Sequence, residues 1–577
     1  MPQLKILIVP CVEKGKGGGH IARSVRLAQE LRSLGKDAWV YIDRLDLEIK
    51  AAITDLKDDK WDAIILDKFR TSPAEFARWR KIAPIIGIDE GGKLRKKFDF
   101  LIDILPNLER SKPNTANPSL LFANDPKRQT APSPARLRKN AVAVTFGAED
   151  AAGLTTPISL ELHGQGFIVT AIFGTLNQTS ALERKKLQET GVEIWEQEQN
   201  LAERLVEFDL VVTHYGLTAF ESLRARTPVI LASPTPYHEN LARKAGFLTL
   251  KKLGQLTKTS VPHIREHNHA LAAKYHMENP QSLSATLSRL EIHGANCPIC
   301  GNNPLSAAHT LERFTDRTYR KCPVCKTVFM TALFAPPIAY NHDYFFEAYK
   351  QQYGKTYLED FPNLVELGRR RIARIKKIGQ GRAGEPPSLL DIGCAYGPFL
   401  VAAKEAGFTP VGLETAEDAA QYVQDTLHIP CHCTTFPAHL TERYDAVTLW
   451  FVIEHFERAG EVLTESNKLL KPNGVLAFST PSLAGISARK SRKTFLENSP
   501  LDHYTIFDPR TSKTLLRRFG FSVQKIITTG IHPERFPILG KFARKNQILH
   551  RVLTIVSRLF RLGDTFEVYA MKKETKQ

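Results

Sequence analysis

No stretch of the 577-residue sequence approaches the ~20 consecutive apolar residues that cross a bilayer as a helix, so no spanning segment is expected. The opening, MPQLKILIVPCVEKGKGGGH, has an apolar run of only a few residues, shorter than a secretory h-region. A soluble, cytoplasmic protein is therefore expected. Internal repeats beyond a general βα rhythm are lacking, and so is compositional bias. With 42% apolar and 24% charged residues the chain can bury sizeable cores. At roughly 100–200 residues per domain, its length asks for three or four of them. Acidic residues are in deficit: 61 Asp and Glu face 79 Lys and Arg, a net charge of +18. The imbalance is local, because Pro481 to the end holds 19 Lys and Arg against 7 Asp and Glu. Such a surface suits an anionic partner: a nucleic acid, a nucleotide-sugar or an acidic membrane.

The first segment alternates strand and helix: KILIVP, a glycine loop, IARSVRLAQELRSLG, DAWVYID, DAIILD and PIIGID. That rhythm predicts a parallel α/β sheet. Ser111 to Pro134, rich in Pro, Asn and Ser, reads as a linker, and a second α/β run follows through NAVAVTFG, GFIVTAIFG, FDLVVTHYG and TPVILAS. A third begins at GEPPSLLDIGCAYG and runs to the end. The expected divisions are 1–135 and 136–290 (two Rossmann-like domains), 291–335 (a cysteine ribbon), 336–385 (an aromatic and basic helical lid or linker) and 386–577 (a further Rossmann-like domain).

Four of the eight cysteines form two Cys-x-x-Cys pairs, Cys297 with Cys300 and Cys322 with Cys325, separated by 21 residues. In a cytosolic chain that spacing points to one tetrahedral Zn²⁺ with four thiolate ligands. Such a site has no open position for water, so a structural role is expected. Cys431-His432-Cys433 is too tightly spaced for a full metal site. Tyr340, Tyr344, Phe345, Tyr349, Tyr353 and Tyr357 form a stripe that reads first as packing and second as a stacking surface, and a lid is expected. Leu549, Val552, Leu553, Val556, Leu559 and Phe560 recur at helical spacing among Arg551, Arg558 and Arg561. This reads first as core packing and second as a peripheral membrane contact through the basic C-terminal segment.

Between the first strand and helix, Gly17-Gly18-Gly19-His20 can turn bare N–H groups and a helix N-terminus toward phosphate. In the second run Gly216, Thr218 and Glu221 follow a strand, so Glu221 sits one helical turn in, where a carboxylate can accept ribose hydroxyls. These residues, with Asp67-Lys68-Phe69, Ile88-Asp89-Glu90 and His238-Glu239-Asn240, resemble the nucleotide-sugar hydrolases of pseudaminic-acid synthesis. Those are similar in fold to the N-acetylglucosaminyltransferase of peptidoglycan synthesis, a two-domain GT-B enzyme. Gly17, Gly19, His20 and Arg23 match the hydrolase pattern G-x-G-H-x-x-R, and the resemblance implies that His20 activates water. It also implies that Gly17, Gly19, Arg23, Asp67, Gly216, Thr218, Glu221 and Asn240 meet a UDP- or CMP-linked sugar. The family's D-x-Y stands here as Asp67-Lys68-Phe69, and its Gly-Ser-Thr as Gly216-Leu217-Thr218.

In the third run, Asp391-Ile392-Gly393 and Gly397 form D-x-G-x-x-x-G, and Glu414 ends the next strand 23 residues on, where an acid can hold adenosyl ribose. A nicotinamide site would want G-x-G-x-x-G. With YDAVTLWFVIEHF, LLKPNGVLAFSTP and DHYTIFDPRTSKTLLRRFGF, this segment resembles class I S-adenosylmethionine-dependent methyltransferases of the ubiquinone O-methyltransferase group. The resemblance implies S-adenosylmethionine at Asp391, Gly393, Gly397 and Glu414, and places Glu454, His455 and His503 toward the substrate. Either histidine could act as general base toward a sugar hydroxyl. Trp450-Phe451-Val452-Ile453 stands where base-methylating enzymes carry N-P-P-Y, which argues against nucleic acid. The expected whole is an α/β multidomain chain: a GT-B-like pair of Rossmann-like domains, a small zinc ribbon and a class I methyltransferase domain. Its expected function is a bifunctional enzyme of bacterial glycan synthesis. The alternatives are a glycosyltransferase joined to a methyltransferase, and an RNA methyltransferase with a degenerate sugar-binding module.

Overall fold

The computed structural model describes residues 4–12, 18–42, 52–54, 56, 60–109, 111–121, 139–147, 150–174, 177–198, 200–250, 256–278, 282–301, 309–334, 343–379, 385–438 and 440–573. Its packing separates two units, Met1–Glu291 and Ile292–Gln577.

The first unit holds two parallel sheets. One runs β3-β2-β1-β4-β5-β6-β7, from β1 (Lys5–Pro10), β2 (Asp37–Tyr41), β3 (Ala52–Ile53), β4 (Ala63–Asp67), β5 (Ile85–Ile88), β6 (Phe100–Asp103) and β7 (Thr115–Ala116). The other runs β10-β9-β8-β11-β12, from β8 (Ala141–Val144), β9 (Ile168–Phe173), β10 (Glu193–Glu196), β11 (Leu210–Thr213) and β12 (Val229–Leu231). Central strands such as Ile6-Leu7-Ile8 and Ala63-Ile64-Ile65-Leu66 are apolar without alternation because helices cover both faces. In both sheets the winding reverses beside the first strand, which opens a crevice at the carboxyl ends.

One expectation is corrected. The start of the stretch read as a linker supplies β7 and the buried turn Pro118–Leu121. The Asn114 carboxamide fastens it by accepting from the Leu101 N–H at 3.0 Å, so polar composition here reflects sheet docking.

The second unit also has two sheets. β13 (His309–Arg313), β14 (Arg317–Lys321), β15 (Val328–Ala332) and β21 (Thr505–Ile506) pair antiparallel in that order. The larger sheet runs β18-β17-β16-β19-β20-β23-β22, from β16 (Ser388–Ile392), β17 (Thr409–Glu414), β18 (Cys431–Cys433), β19 (Tyr444–Trp450), β20 (Leu470–Pro481), β22 (Phe521–Thr529) and β23 (Thr565–Lys572). Only β23 runs against its neighbours.

The helix Tyr357–Ile378 begins at a capping box between Thr356 and Glu359 and packs on the helix Pro398–Glu405. Gly368 allows this approach, since a Cβ there would lie 2.8 Å from that of Ala402. The helix's basic residues are partly consumed inside: Arg371 and Arg374 donate to the buried Glu567 at 2.9 and 2.8 Å, and Arg371 lies over the Trp450 ring.

Candidate functional site

In the first unit, β4 delivers Asp67 beneath the start of the helix Gly18–Ser33. There the Asp67 carboxylate meets His20 Nδ1 at 2.7 Å and accepts from Arg23 Nε at 2.9 Å and Ser24 Oγ at 3.2 Å. Arg23 also donates to Asp89, after β5, at 2.8 Å. The local sequence accounts for this arrangement, since His20, Arg23 and Ser24 recur at helical spacing and turn one face to a strand end. Burial alone would raise the Asp67 pKa, but the charge of Arg23 and the bonds from His20 and Arg23 lower it to about 2. Asp67 is thus a fixed anion that orients the imidazole. Gly19 lies in the first turn of this helix, whereas Gly17 lies outside the described residues.

At the carboxyl ends of β8, β11 and β12 a second group gathers. Gly216 precedes the helix Leu217–Arg224 that carries Thr218 and Glu221, and burial raises the Glu221 pKa against the nearby charge of Arg26. Asn240 is exposed on the helix Pro236–Ala245. Sequence reasoning missed His214. Its Nδ1 is buried without a partner, its ring stacks on Phe146 at 6.0 Å, and burial with His238 nearby pushes its pKa down to about 4. The signal was present as a histidine closing a strand, in Val-Thr-His-Tyr. Tyr215 hydroxyl donates to the Pro106 carbonyl and Lys244 to the Asn107 carbonyl, tying the two sheets' loops together.

In the second unit the turn after β16 is shaped by close packing. Gly393 and Gly397 have φ of +69° and +79°. A Cβ on Gly393 would come within 2.6 Å of Val452, and one on Gly397 within 2.8 Å of Leu427. Asp391 lies buried under this turn, receives the Thr448 hydroxyl at 2.6 Å, and is pushed by burial to a pKa of about 7. Glu414 ends β17 with its carboxylate accepting from the N–H groups of Ala395 at 2.8 Å, Thr415 at 2.7 Å and Ala416 at 3.0 Å. An acid is therefore held against the glycine turn at the winding reversal between β16 and β19. Phe345 and Tyr357 cover that turn, with Phe345 edge-on to Tyr396 at 5.2 Å. Of the stripe, Tyr344, Phe345 and Tyr357 thus pack over the turn, Tyr353 is exposed, and Tyr340 lies outside the described residues.

Immediately after β19, the turn Ile453–His455 presents two titratable groups. Glu454 is buried with neither carboxylate oxygen hydrogen-bonded, and burial raises its pKa to about 7. His455 Nδ1 meets Asp502 at 2.8 Å. Burial lowers its pKa, but the Asp502 bond and the charges of Glu454 and Asp502 together raise it. The rings of His455 and His503 lie 4.6 Å apart, edge to face. Of the two histidines expected as bases, His503 has its pKa pushed down to about 3 by burial and the neighbouring His455. Asp502 was not singled out from the sequence, although it adjoins His503.

A family model described as a methyltransferase domain matches residues 365–526. This segment is a methyltransferase domain. The ubiquinone biosynthesis O-methyltransferase of Hydrogenovibrio crunogenus is 28% identical over 137 residues, spanning 22% of this chain and 57% of its own length. That of Rhodopseudomonas palustris is 36% identical over 100 residues, spanning 16% and 39%. An uncharacterised protein of Methanocaldococcus jannaschii is 22% identical over 292 residues, spanning 44% and 59%. The chain thus spans less than two thirds of each of these relatives. A solved methyltransferase from Archaeoglobus fulgidus is 19% identical, with a TM-score of 0.28, and the match covers 39% of this chain and 98% of that one.

The methyltransferase domain's glycine turn and Glu414 fit S-adenosylmethionine: the positive φ of Gly393 and Gly397 leaves bare backbone beside the acid that would hold the ribose. The cysteines are bound into the same unit. Cys297, Cys300, Cys322 and Cys325 bring their sulfurs within 4.8 Å of one another. The Gly460 N–H, after the Glu454-His455 turn, donates to the Pro298 carbonyl at 2.8 Å in the first knuckle. β15, after the second knuckle, pairs with β21, directly after Asp502 and His503. The cysteine cluster therefore braces both segments that supply the titratable group.

Proposed function

We propose that the chain is a bifunctional enzyme: an S-adenosylmethionine-dependent methyltransferase acting on a hydroxyl of a sugar or sugar-derived acceptor, joined to a nucleotide-sugar hydrolase-like module of GT-B kind in residues 1–290. The observation that carries the first half of this reading is the placement of Glu414 and of the His455–Asp502 pair after β17 and β19, on one edge of one sheet. Bound S-adenosylmethionine supplies an electrophilic methyl group. Glu414 accepts the ribose hydroxyls and Gly393 and Gly397 leave backbone room, while Phe345 and Tyr357 exclude water above the turn. Asp502 meets His455 Nδ1 and orients the imidazole, which takes the proton of the acceptor hydroxyl as it attacks. The printed names of the curated relatives support oxygen as the methylated atom.

In residues 1–290, His20 activates water, oriented by Asp67. Gly19, in the first turn of the helix Gly18–Ser33, borders the reacting phosphate, Arg23 holds Asp67 in place, and Gly216, Thr218, Glu221 and Asn240 meet the nucleotide of a UDP- or CMP-linked sugar. Incubation with a panel of nucleotide-sugars and S-adenosylmethionine, read by mass spectrometry for free nucleotide and for methylated product, tests both halves separately. Neither product from any combination would end the reading.

Two further results are expected. Tetrahedral Zn–S bonds of ~2.3 Å put sulfurs about 3.8 Å apart, and the Cys297–Cys325 and Cys300–Cys322 sulfurs lie 3.4 and 3.7 Å apart. The purified, reduced chain should carry one zinc, counted by elemental analysis of protein never exposed to chelator. Glu414→Ala should weaken S-adenosylmethionine binding by about 1.5–3 kcal/mol, as expected for hydrogen bonds to a charged group. Calorimetric titration showing unchanged affinity would remove Glu414 from the donor site.

A further inference from the structure

Between β22 and β23 the chain leaves the large sheet as an insertion from Gly530 to Asp564 that carries the short helix Leu539–Ala543 and the helix Gln547–Leu559. The expectation of core packing is corrected for half of this helix. Leu553 and Ser557 are buried, but Ile548, Val552, Ile555 and Leu559 are 48–76% exposed. Their spacing of 4, 3 and 4 residues makes one continuous outward stripe, extended by the exposed Phe542 and Phe560. Eight of the eighteen exposed large apolar side chains among the described residues fall between 538 and 560.

The two helices and their connections carry charge of one sign, while Glu534, in the turn before them, faces His532 at 3.0 Å. From Phe536 to Gly563 there are six Lys and Arg and no Asp or Glu. Arg551 and Arg558, seven residues apart, flank the stripe on one side of the helix. The insertion is anchored from within: Asp564 accepts from Arg535 at 2.5 Å and from the Ser487 N–H at 2.8 Å. The inner face is therefore fixed, and the outer face is left apolar and positive.

We propose that this face docks on the surface of an anionic phospholipid bilayer, with the stripe buried among acyl chains and the flanking guanidinium groups at the phosphates. An apolar face flanked by cations is what an interfacial helix presents to an anionic surface. A second copy of the chain fits poorly, since a self-complementary contact would bring twelve cations together without a counter-charge. The placement bears on function. Thr529 and Thr565 pair where the insertion leaves the sheet, next to Pro481, and Ser479 pairs with Trp450 at the end of β19. The docking face therefore grows from the edge that carries Glu414 and His455, and an acceptor held at a bilayer surface would be delivered to that edge.

The test is sedimentation of the full chain with vesicles of phosphatidylcholine alone and of phosphatidylcholine with about one third phosphatidylglycerol. Binding should require the anionic lipid and weaken with salt. The Arg551→Gln/Arg558→Gln chain should bind about 25-fold less tightly, at about fivefold per removed cation. The Ile548→Asn/Ile555→Asn/Leu559→Asn chain should lose binding by more than a hundredfold. Both should keep the wild-type thermal unfolding midpoint, because these side chains are exposed. Wild-type chain that stays in the supernatant with both vesicles, or that binds both equally, overturns the proposal. So does concentration-dependent dimerisation abolished by the triple variant, which would give the face to a second copy.

Discussion

Replacing His455 with Asn is expected to lower methyl transfer by about 10²- to 10⁴-fold, the usual contribution of a positioned base, with S-adenosylmethionine affinity unchanged. In the proposed reading the side chain faces the acceptor, while donor binding is assigned to Glu414 and the glycine turn. The pH dependence follows from the shift on this residue. The working form is the neutral imidazole. Burial favours that form, but the Asp502 bond and the charges of Glu454 and Asp502 outweigh it and hold the proton above the ordinary value of 6.5. The rate should therefore fall on the acid side with a midpoint above 6.5. Asp502→Asn removes a main support of the proton, so burial should draw the midpoint toward lower pH while kcat drops. That combination separates a positioning residue from one that only supports the fold. A His455→Asn chain retaining most of its turnover would exclude the base, and an unmoved midpoint in Asp502→Asn would exclude the pair.

The donor half of this site was legible because its parts are close in sequence and each has a physical signature. D-x-G-x-x-x-G marks a strand entering a tight turn, and the two glycines meet Val452 and Leu427 at distances no side chain tolerates. Glu414 lies one strand further on, where the βαβ rhythm brings it back to that turn. The acceptor half was legible only as residue types. His455 and Asp502 are 47 residues apart, and the segment carrying Asp502 is held by the pairing of β15 with β21, a two-residue strand too short for any periodicity to announce. The two histidines' surroundings differ as the sequence could not show: burial pushes the His503 pKa down to about 3, while the Asp502 bond and neighbouring charges raise that of His455.

The strands of the first unit were readable for a related reason. Strands covered by helices on both faces carry unbroken apolar runs, and those runs lie where expected. The start of the supposed linker was misread because β7 is two residues long and Asn114 docks it through its side chain. Composition is blind to such a contact. The helix Gln547–Leu559 shows a different limit. Its apolar residues occupy two faces, and the sequence pattern is the same whether both or only one finds protein to pack against.

Replacing His20 with Asn is expected to leave nucleotide-sugar binding nearly intact and to lower nucleotide release by about 10²- to 10⁴-fold. Asp67, an anion held at a pKa of about 2 by Arg23 and His20, grips Nδ1 at 2.7 Å, and the proposed reading assigns proton acceptance from water to the other ring nitrogen. Asn keeps a polar group of similar reach but has no basic nitrogen. Methyl transfer should persist in the same chain, because Asp391, Glu414 and His455 belong to the other unit. Measuring nucleotide release and methyl transfer on one preparation therefore tells loss of a base from loss of folding. If His20→Asn releases nucleotide at the wild-type rate, the histidine is a loop residue and the hydrolase reading loses its catalyst. If the wild type releases nucleotide only when an acceptor sugar is added, the same imidazole activates an acceptor hydroxyl in place of water and the first unit is a glycosyltransferase.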